Sequence, residues 1–214
     1  FGFIRWDKSF STGVWSIGNE IVFYIFFPFF ILLIKKFKPL MIMLSLAILV
    51  SYLYFAFVKL SPDLLLSEQW KNYVNPLNQV FLFLGGFLIG YFLHNIKIKN
   101  TIVLSILLFG MLLFTFYPTT GNVINIVTGT NRLIFSTCCF LICICFYKLT
   151  FKFPAFIHKP LTLLGEASYS VYLLHPIIWI FTGIAASIFR KRFFYFPELY
   201  NLILSVIFTL IISF

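Results

Sequence analysis

Seven apolar segments, separated by short loops rich in Lys, Arg, Pro and Asn, fill most of this 214-residue chain. A helix needs roughly 20 apolar residues to cross a bilayer core about 30 Å thick, and each segment reaches or approaches that length. Only 10% of the residues are charged, against roughly 25% in a soluble domain, so the chain cannot cover a water-exposed surface. The sequence therefore predicts an all-α fold, a polytopic transmembrane helix bundle. The predicted segments cover residues 15–34, 40–58, 77–94, 101–117, 133–147, 161–183 and 199–214.

The chain contains no internal repeat and no low-complexity linker, so we predict a single domain over residues 1–214. It begins in a polar loop and stops inside an apolar segment. We therefore expect the C-terminal portion of a longer protein, truncated at its N-terminal side.

The chain is strongly basic, with 16 Lys and Arg against 6 Asp and Glu. In a soluble protein such a balance indicates nucleic-acid binding. Here the basic residues flank apolar segments, where they contact anionic lipid headgroups and set the topology. We expect membrane lipid as a partner and no nucleic acid. Alternate loops carry equal numbers of basic residues. We place in the cytosol the set closer to the segment ends, which includes Lys35, Lys97 and Lys148.

The four cysteines share one apolar segment and lack the spacing of a metal site. They have no C-x-x-C pattern and no histidine at ligand spacing, so we expect small packed side chains and no bound metal. These residues are Cys138, Cys139, Cys143 and Cys145.

A polar stripe is predicted on the first helix. Because residues four apart share a helix face, Ser16, Glu20 and Tyr24 line up with Pro28. Pro28 cannot donate a backbone hydrogen bond and leaves the Tyr24 carbonyl open. An ionised side chain at mid-bilayer costs roughly 2.5–3.5 kcal/mol, so such groups tend to face a cavity or perform chemistry. The alternative is that Glu20 caps the helix N-terminus, where a negative charge is favoured.

A second polar stripe is predicted on the sixth segment, where Pro176 leaves the Tyr172 carbonyl open. The alternative for His175 is a satisfied core histidine. We expect Glu166, close to the predicted helix start, to be a capping acid. The stripe consists of Gly165, Ser168, Tyr172, His175 and Trp179, spaced three or four apart.

A pair of small residues marks the third segment. Gly86 and Gly90 are four apart, and Gly85 adjoins them. Small residues at this spacing let a neighbouring helix backbone approach closely, so we predict helix packing at Gly86 and Gly90.

Both polar stripes resemble motifs of one family. Residues 15–20, followed by Phe23-Tyr24 and Pro28, resemble the W-S-x-x-x-E…F-Y…P signature of the polytopic acyltransferase family three, the bacterial O-acetyltransferase-like membrane proteins. Residues 164–176 resemble that family's late L-G-x-x-S-Y-S-x-Y-L-x-H helix, and residues 83–86 more weakly resemble its F-x-x-G segment.

The resemblance implies a ten-helix bundle, about seven of whose helices are present. It implies transfer of an acyl group, acetyl in the usual case, from cytosolic acyl-CoA to a hydroxyl of a surface polysaccharide, lipopolysaccharide or glycolipid, in the bacterial inner membrane. The family's catalytic histidine lies in its first membrane helix, with an arginine before it. No Arg-x10-His pattern occurs at the start of this chain, so the base is unassigned and we expect this portion alone to be inactive.

The resemblance and the stripes together suggest roles for particular residues. Acyl transfer needs a positioned hydroxyl, a base and donors for the oxyanion. We predict that Glu20 orients or charges the base, or positions the acceptor, and that Ser16 and Tyr24 support it as catalytic residues. The predicted substrate-binding residues are Trp15, Ser168, Tyr172 and His175. We expect acyl-CoA as a co-substrate and no tightly bound cofactor. The predicted phosphate-binding residues for acyl-CoA are Lys152, His158 and Lys159.

Two other functions remain open on the sequence. Broken helices with polar groups at mid-membrane are also a transporter feature, so the chain suits a transporter or flippase for a polysaccharide or lipid-linked substrate. A structural subunit without chemistry is the third alternative.

Overall fold

The computed structural model describes residues 14–119, 121–150, 153–192 and 198–213. Within these ranges the chain is helical and has no strand, which confirms the predicted all-α fold. All but one of the α-helices are 16 residues or longer, which matches the seven predicted segments. The helices are α1 (Val14–Lys36), α2 (Lys38–Tyr54), α3 (Trp70–Tyr73), α4 (Pro76–Leu93), α5 (Asn100–Phe116), α6 (Gly129–Lys148), α7 (Ala155–Arg192) and α8 (Glu198–Ser213).

Five helical spans in the described ranges are long and apolar enough to cross a membrane. Helices α5 and α8 are equally apolar but shorter. The five spans are Trp15–Lys36, Lys38–Lys59, Trp70–Leu93, Gly129–Lys148 and Ala155–Ala185.

The described chain forms two compact units. The first contains residues 16–150, in which α2 packs on α4, α4 on α6 and α5 on α6. The second contains residues 153–192 and 198–213, in which α7 packs on α8. The α7–α8 contact includes a hydrogen bond of 2.8 Å between the hydroxyls of Thr182 and Ser205. Hydroxyl pairs of this kind join helices where apolar surroundings offer no water.

Aromatic packing fixes the rotation of α1 in the first unit. The Phe23 ring stacks on Phe83 of α4 with centroids 5.1 Å apart, and Phe27 meets Phe87 edge to face at 5.6 Å. Phe30 and Ile34 continue this face into the buried core. Such ring pairs contribute about 0.5–1.5 kcal/mol each beyond their buried area. The aromatic face of α1 therefore points at α4, and the next face around the helix points away from the core.

The glycine prediction on α4 is wrong by one residue. A Cβ atom added to Gly86 or Gly90 would have no heavy atom within 4 Å in the described structure. A Cβ atom on Gly85 would instead overlap the Phe140 ring of α6. One residue corresponds to 100° of rotation around a helix, so α4 turns Gly85, and neither of the others, toward α6.

Two helices begin earlier than the sequence predicts. Helix α6 begins at Gly129 and includes Arg132, and α7 begins at Ala155 and continues through Pro160. The prediction began these segments at Leu133 and Leu161, just after Arg132 and Pro160. Arg132 lies inside the helix because its side chain contacts α2 and α4, and Lys159 because its side chain is exposed. Since α7 begins so early, Glu166 lies far beyond its first turn, and its predicted capping role is wrong.

Candidate functional site

The α1 stripe lies beside the face that packs against the core. Asn19 is 3% exposed, and its Nδ2 donates a 3.0 Å hydrogen bond to the Val74 carbonyl, which ties α1 to the segment before α4. Glu20 is half-buried, as are Trp15 and Ser16. The stripe therefore starts close to the point where α1 meets the α3–α4 segment.

Glu20 lies beyond the first turn of α1, which contains no acidic residue. The alternative that Glu20 caps this helix is therefore wrong. Its carboxylate forms no hydrogen bond or ion pair with any other described residue. Tyr24 is 62% exposed and meets the Phe83 ring edge-on, with centroids 6.2 Å apart. The two side chains share a side of α1, but Tyr24 lies further from the core than Glu20.

In the α7 stripe, the carbonyl that Pro176 is predicted to leave open accepts a hydrogen bond from a side chain. The His175 Nδ1 lies 2.8 Å from the Tyr172 carbonyl, which Pro176 leaves without a backbone donor. A carbonyl only accepts, so Nδ1 is the donor in this contact. The two rings lie 5.8 Å apart between centroids. Ser168 is exposed and donates its hydroxyl hydrogen to the Gly165 carbonyl at 2.7 Å.

The predicted phosphate-binding residues are only partly described. Lys152 lies outside the described residues. His158 and Lys159 are exposed near the start of α7. Their role in holding acyl-CoA stays a prediction.

A basic pocket lies in the first unit, where α4 ends, α5 begins and α6 ends. This lysine pocket has a volume of about 580 Å³ and is lined by His94, Lys97, Lys99 and Lys148, among others. Lys148 donates to the Leu93 carbonyl, and its Nζ lies 4.9 Å from the centre of the Tyr147 ring. Lys97 and Lys99 are exposed, so their ammonium groups can meet an anion in solution.

A second cavity, of about 460 Å³, lies at the opposite end of the first unit, where α4 and α6 begin. It is lined by aromatic rings, hydroxyls, one amide and one guanidinium. Its lining includes Tyr52, Tyr73, Gln79, Tyr117, Arg132 and Ser136. The sequence pattern does not predict this site, because Arg132 is predicted to lie in a loop.

Arg132 is the centre of this cavity's polar wall and is 8% exposed. Its Nη2 donates a 3.0 Å hydrogen bond to the Asn78 carbonyl, and its Cζ lies 4.6 Å from the centre of the Tyr52 ring. The Tyr52 hydroxyl in turn donates to Ser136 Oγ at 2.8 Å. These contacts form one cluster of polar side chains that joins α2, α4 and α6. We call Tyr52, Asn78, Arg132 and Ser136 the Arg132 cluster.

Two polar atoms of the Arg132 cluster are buried without a partner among the described residues. They are Arg132 Nη1, a donor, and Asn78 Oδ1, an acceptor. A buried polar atom left unpaired costs about 1–3 kcal/mol, and more when the group is charged. The signal available in the sequence was the pair Asn78-Gln79 near the start of an otherwise apolar segment.

The two cavities lie at opposite ends of the first unit, and Glu20 belongs to the Arg132 end. Asn19, its neighbour, bonds to Val74, only four residues before Asn78. Neither cavity is lined by Ser16, Glu20 or Tyr24. The structure therefore places the predicted carboxylate and the Arg132 cluster at the same end of the first unit without joining them in one cavity.

Comparison with known proteins identifies the family. The model of one family, described as an acyltransferase domain, matches residues 2–214. The comparison with curated proteins and the comparison with solved structures each find no match. The match covers nearly the whole chain, so the chain belongs to acyltransferase family 3 and is an integral membrane acyltransferase.

Proposed function

We propose that this family 3 acyltransferase moves an acyl group, acetyl in the simplest case, from acyl-CoA to a hydroxyl of a cell-surface glycan or glycolipid. The family match over residues 2–214 carries the acyl-transfer part of the proposal. The donor, the acceptor and a place in the bacterial inner membrane are what the family resemblance implies, and the two ends of the first unit support the donor and the acceptor.

The lysine pocket supports acyl-CoA as the donor. A CoA molecule carries several phosphate charges, and exposed ammonium groups attract phosphates as point charges. Lys97 and Lys99 provide two such groups beside His94. This end carries Lys35 and Lys148, members of the basic set that we place in the cytosol, where acyl-CoA is made.

The Arg132 end supports a sugar as the acceptor. Binding sites for polar small molecules combine aromatic walls with a few positioned polar groups. The cavity there offers three tyrosine side chains together with Gln79 and Ser136. On the orientation we propose, this end faces away from the cytosol, toward the surface glycans.

The chemistry requires one bond to form and one to break. The acceptor oxygen attacks the thioester carbonyl carbon, a general base removes the hydroxyl proton, and the C–S bond breaks as the thiol of CoA leaves with a proton. We propose that Glu20 orients that base or the acceptor, with Ser16 and Tyr24 supporting it. In the second unit, we propose Ser168, Tyr172 and His175 as residues that contact substrate.

Radiolabel transfer tests this proposal. Membranes that contain the full-length protein are supplied with acetyl-CoA labelled in the acetyl group, and label in the glycan fraction is measured. We expect label in the glycan and about a hundredfold loss of rate in Glu20→Ala, as for removal of a group in general acid–base chemistry. The matched control is Glu68→Gln, an exposed loop carboxylate at the same end, which should retain the rate.

Two outcomes would overturn the proposal. Movement of glycan across the membrane without consumption of acetyl-CoA would indicate a transporter. A rate unchanged in Glu20→Ala at normal protein levels would remove Glu20 from the mechanism.

A further inference from the structure

We propose that the cavity beside the Arg132 cluster binds a saccharide that carries an oxyanion, either a carboxylate or a phosphate. The inference rests on the proposed function in one respect, the identity of that saccharide as the acyl acceptor. The binding itself follows from the charge and the unpaired donor of Arg132, which lines the cavity.

The Arg132 cluster carries a positive charge that no carboxylate offsets in the described chain. A guanidinium stays protonated in proteins. The groups that act on the Arg132 side chain are the Asn78 carbonyl and the Tyr52 and Tyr73 side chains, and none of them is a carboxylate. A buried cation is normally paired with an anion, so a ligand that carries one would complete the cluster.

The helix ends add to this charge. Arg132 lies in the first turn of α6, and Asn78 lies in the first turn of α4. The N-terminal end of a helix carries a partial positive charge, which favours an anion and disfavours a cation. A cation in that position is therefore opposed by its own helix unless an anion is bound beside it.

The unpaired donor specifies more than a charge. Arg132 lines the cavity, and its Nη1 belongs to a planar fork that fits two oxygens of a carboxylate or phosphate. Gln79 and Ser136 line the same cavity and can bond to ligand hydroxyls. Uronic acids and sugar phosphates carry an oxyanion and hydroxyls together.

The rest of the cavity suits a sugar ring. Its volume of about 460 Å³ falls within the roughly 300–1,000 Å³ of ligand pockets. Tyr52 and Tyr117 line it with aromatic rings, and Ser136 and Gln79 line it with hydrogen-bonding groups. An inorganic anion alone would use the guanidinium and leave these groups without a role.

The experiment measures binding without acyl transfer. Full-length protein in phosphatidylcholine nanodiscs is titrated with glucuronate, glucose 1-phosphate, glucose and inorganic phosphate. We expect either glucuronate or glucose 1-phosphate to bind about tenfold more tightly than glucose, the size of effect typical of one charge-assisted contact. Inorganic phosphate should bind more weakly than the favoured sugar. The favoured probe tells a carboxylate ligand from a phosphate ligand.

Variants locate the site. Arg132→Gln should lower the affinity for the anionic sugar to that for glucose. Lys59→Gln, which removes one exposed charge at the same end, should leave the affinity unchanged. Arg132→Lys keeps the charge but not the fork. This variant serves where Arg132→Gln does not fold, and we expect its affinity for the anionic sugar to fall about threefold to tenfold.

Equal affinity for glucose and both anionic sugars would overturn the inference, as would equal affinity for inorganic phosphate and the favoured sugar. Full retention of affinity in folded Arg132→Gln would do the same. If the anionic sugar binds through Arg132 but receives no acyl group, the proposed function fails while the binding site stands.

Discussion

The two ends of the first unit hold cavities of similar size but differ in how their charges are placed. At the lysine pocket, Lys97 and Lys99 are exposed, and the buried Lys148 already donates to a backbone carbonyl. At the Arg132 cluster, the guanidinium is buried and one of its donors has no partner among the described residues. Exposed charges attract any anion and are screened by salt, whereas a buried guanidinium selects anions by the geometry of its donors. On the function that we propose, the donor phosphates bind at the lysine pocket and the acceptor binds at the Arg132 end.

The largest expected effect comes from a substitution between the two ends. Gly85→Ala places a Cβ against the Phe140 ring, where α4 meets α6, and both helices contribute to both ends. We expect a loss of about 1–3 kcal/mol in the free energy of unfolding, as for an overpacked core. Thermal unfolding in nanodiscs measures it.

The matched control for that substitution is Gly86→Ala, which has open space and should be neutral or slightly more stable. Equal free energies of unfolding in the two variants would show that α4 and α6 do not meet at Gly85. The two ends would then lack the helix contact that joins them.

A smaller effect is expected at the lysine pocket. The double variant Lys97→Gln/Lys99→Gln should raise the KM for acetyl-CoA about tenfold with kcat retained, because each exposed ion pair contributes up to roughly 1 kcal/mol. Steady-state kinetics in membranes measure both constants. The control, Lys59→Gln/Lys71→Gln, removes the same charge from exposed lysines at the Arg132 end and should leave the KM unchanged. A raised KM in Lys59→Gln/Lys71→Gln and an unchanged KM in Lys97→Gln/Lys99→Gln would exchange the roles of the two ends.

The smallest effect is expected where α1 meets the Arg132 end. Asn19→Ala removes the donor to the buried Val74 carbonyl and should destabilise the fold by about 1 kcal/mol. It should weaken sugar binding and leave the KM for acetyl-CoA unchanged. Ser45→Ala is the control, because Ser45 donates only to the Met41 carbonyl within α2. If sugar binding in Asn19→Ala matches that in Ser45→Ala, α1 does not support the acceptor end.

The sequence predicts what depends on hydropathy and on local backbone chemistry. The helices follow from the length of each apolar segment, and the open Tyr172 carbonyl, to which His175 bonds in the structure, follows from Pro176. Rotation around a helix axis is a different matter. Gly85 and Gly86 look alike in the sequence, and the packing of Phe23 on Phe83 helps fix how α4 is turned.

The Arg132 cluster could not be predicted from the sequence, because it depends on contacts between distant segments. Arg132 and Asn78 are 54 residues apart, and neither lies in a local sequence pattern that predicts a contact with the other. A basic residue beside a loop is read as a lipid-facing charge unless a partner is known. The seven-helix prediction therefore succeeded while the strongest polar cluster of the first unit went unrecognised.

Sidedness of acyl transfer tests the assignment of the two ends most directly. Sealed membrane vesicles containing the full-length protein are given labelled acetyl-CoA on one face only, with the glycan acceptor on the other. We predict label in the acceptor when acetyl-CoA meets the face with the lysine pocket, and none when it meets the opposite face. Labelling of equal extent from both faces, or only from the Arg132 face, would contradict the account.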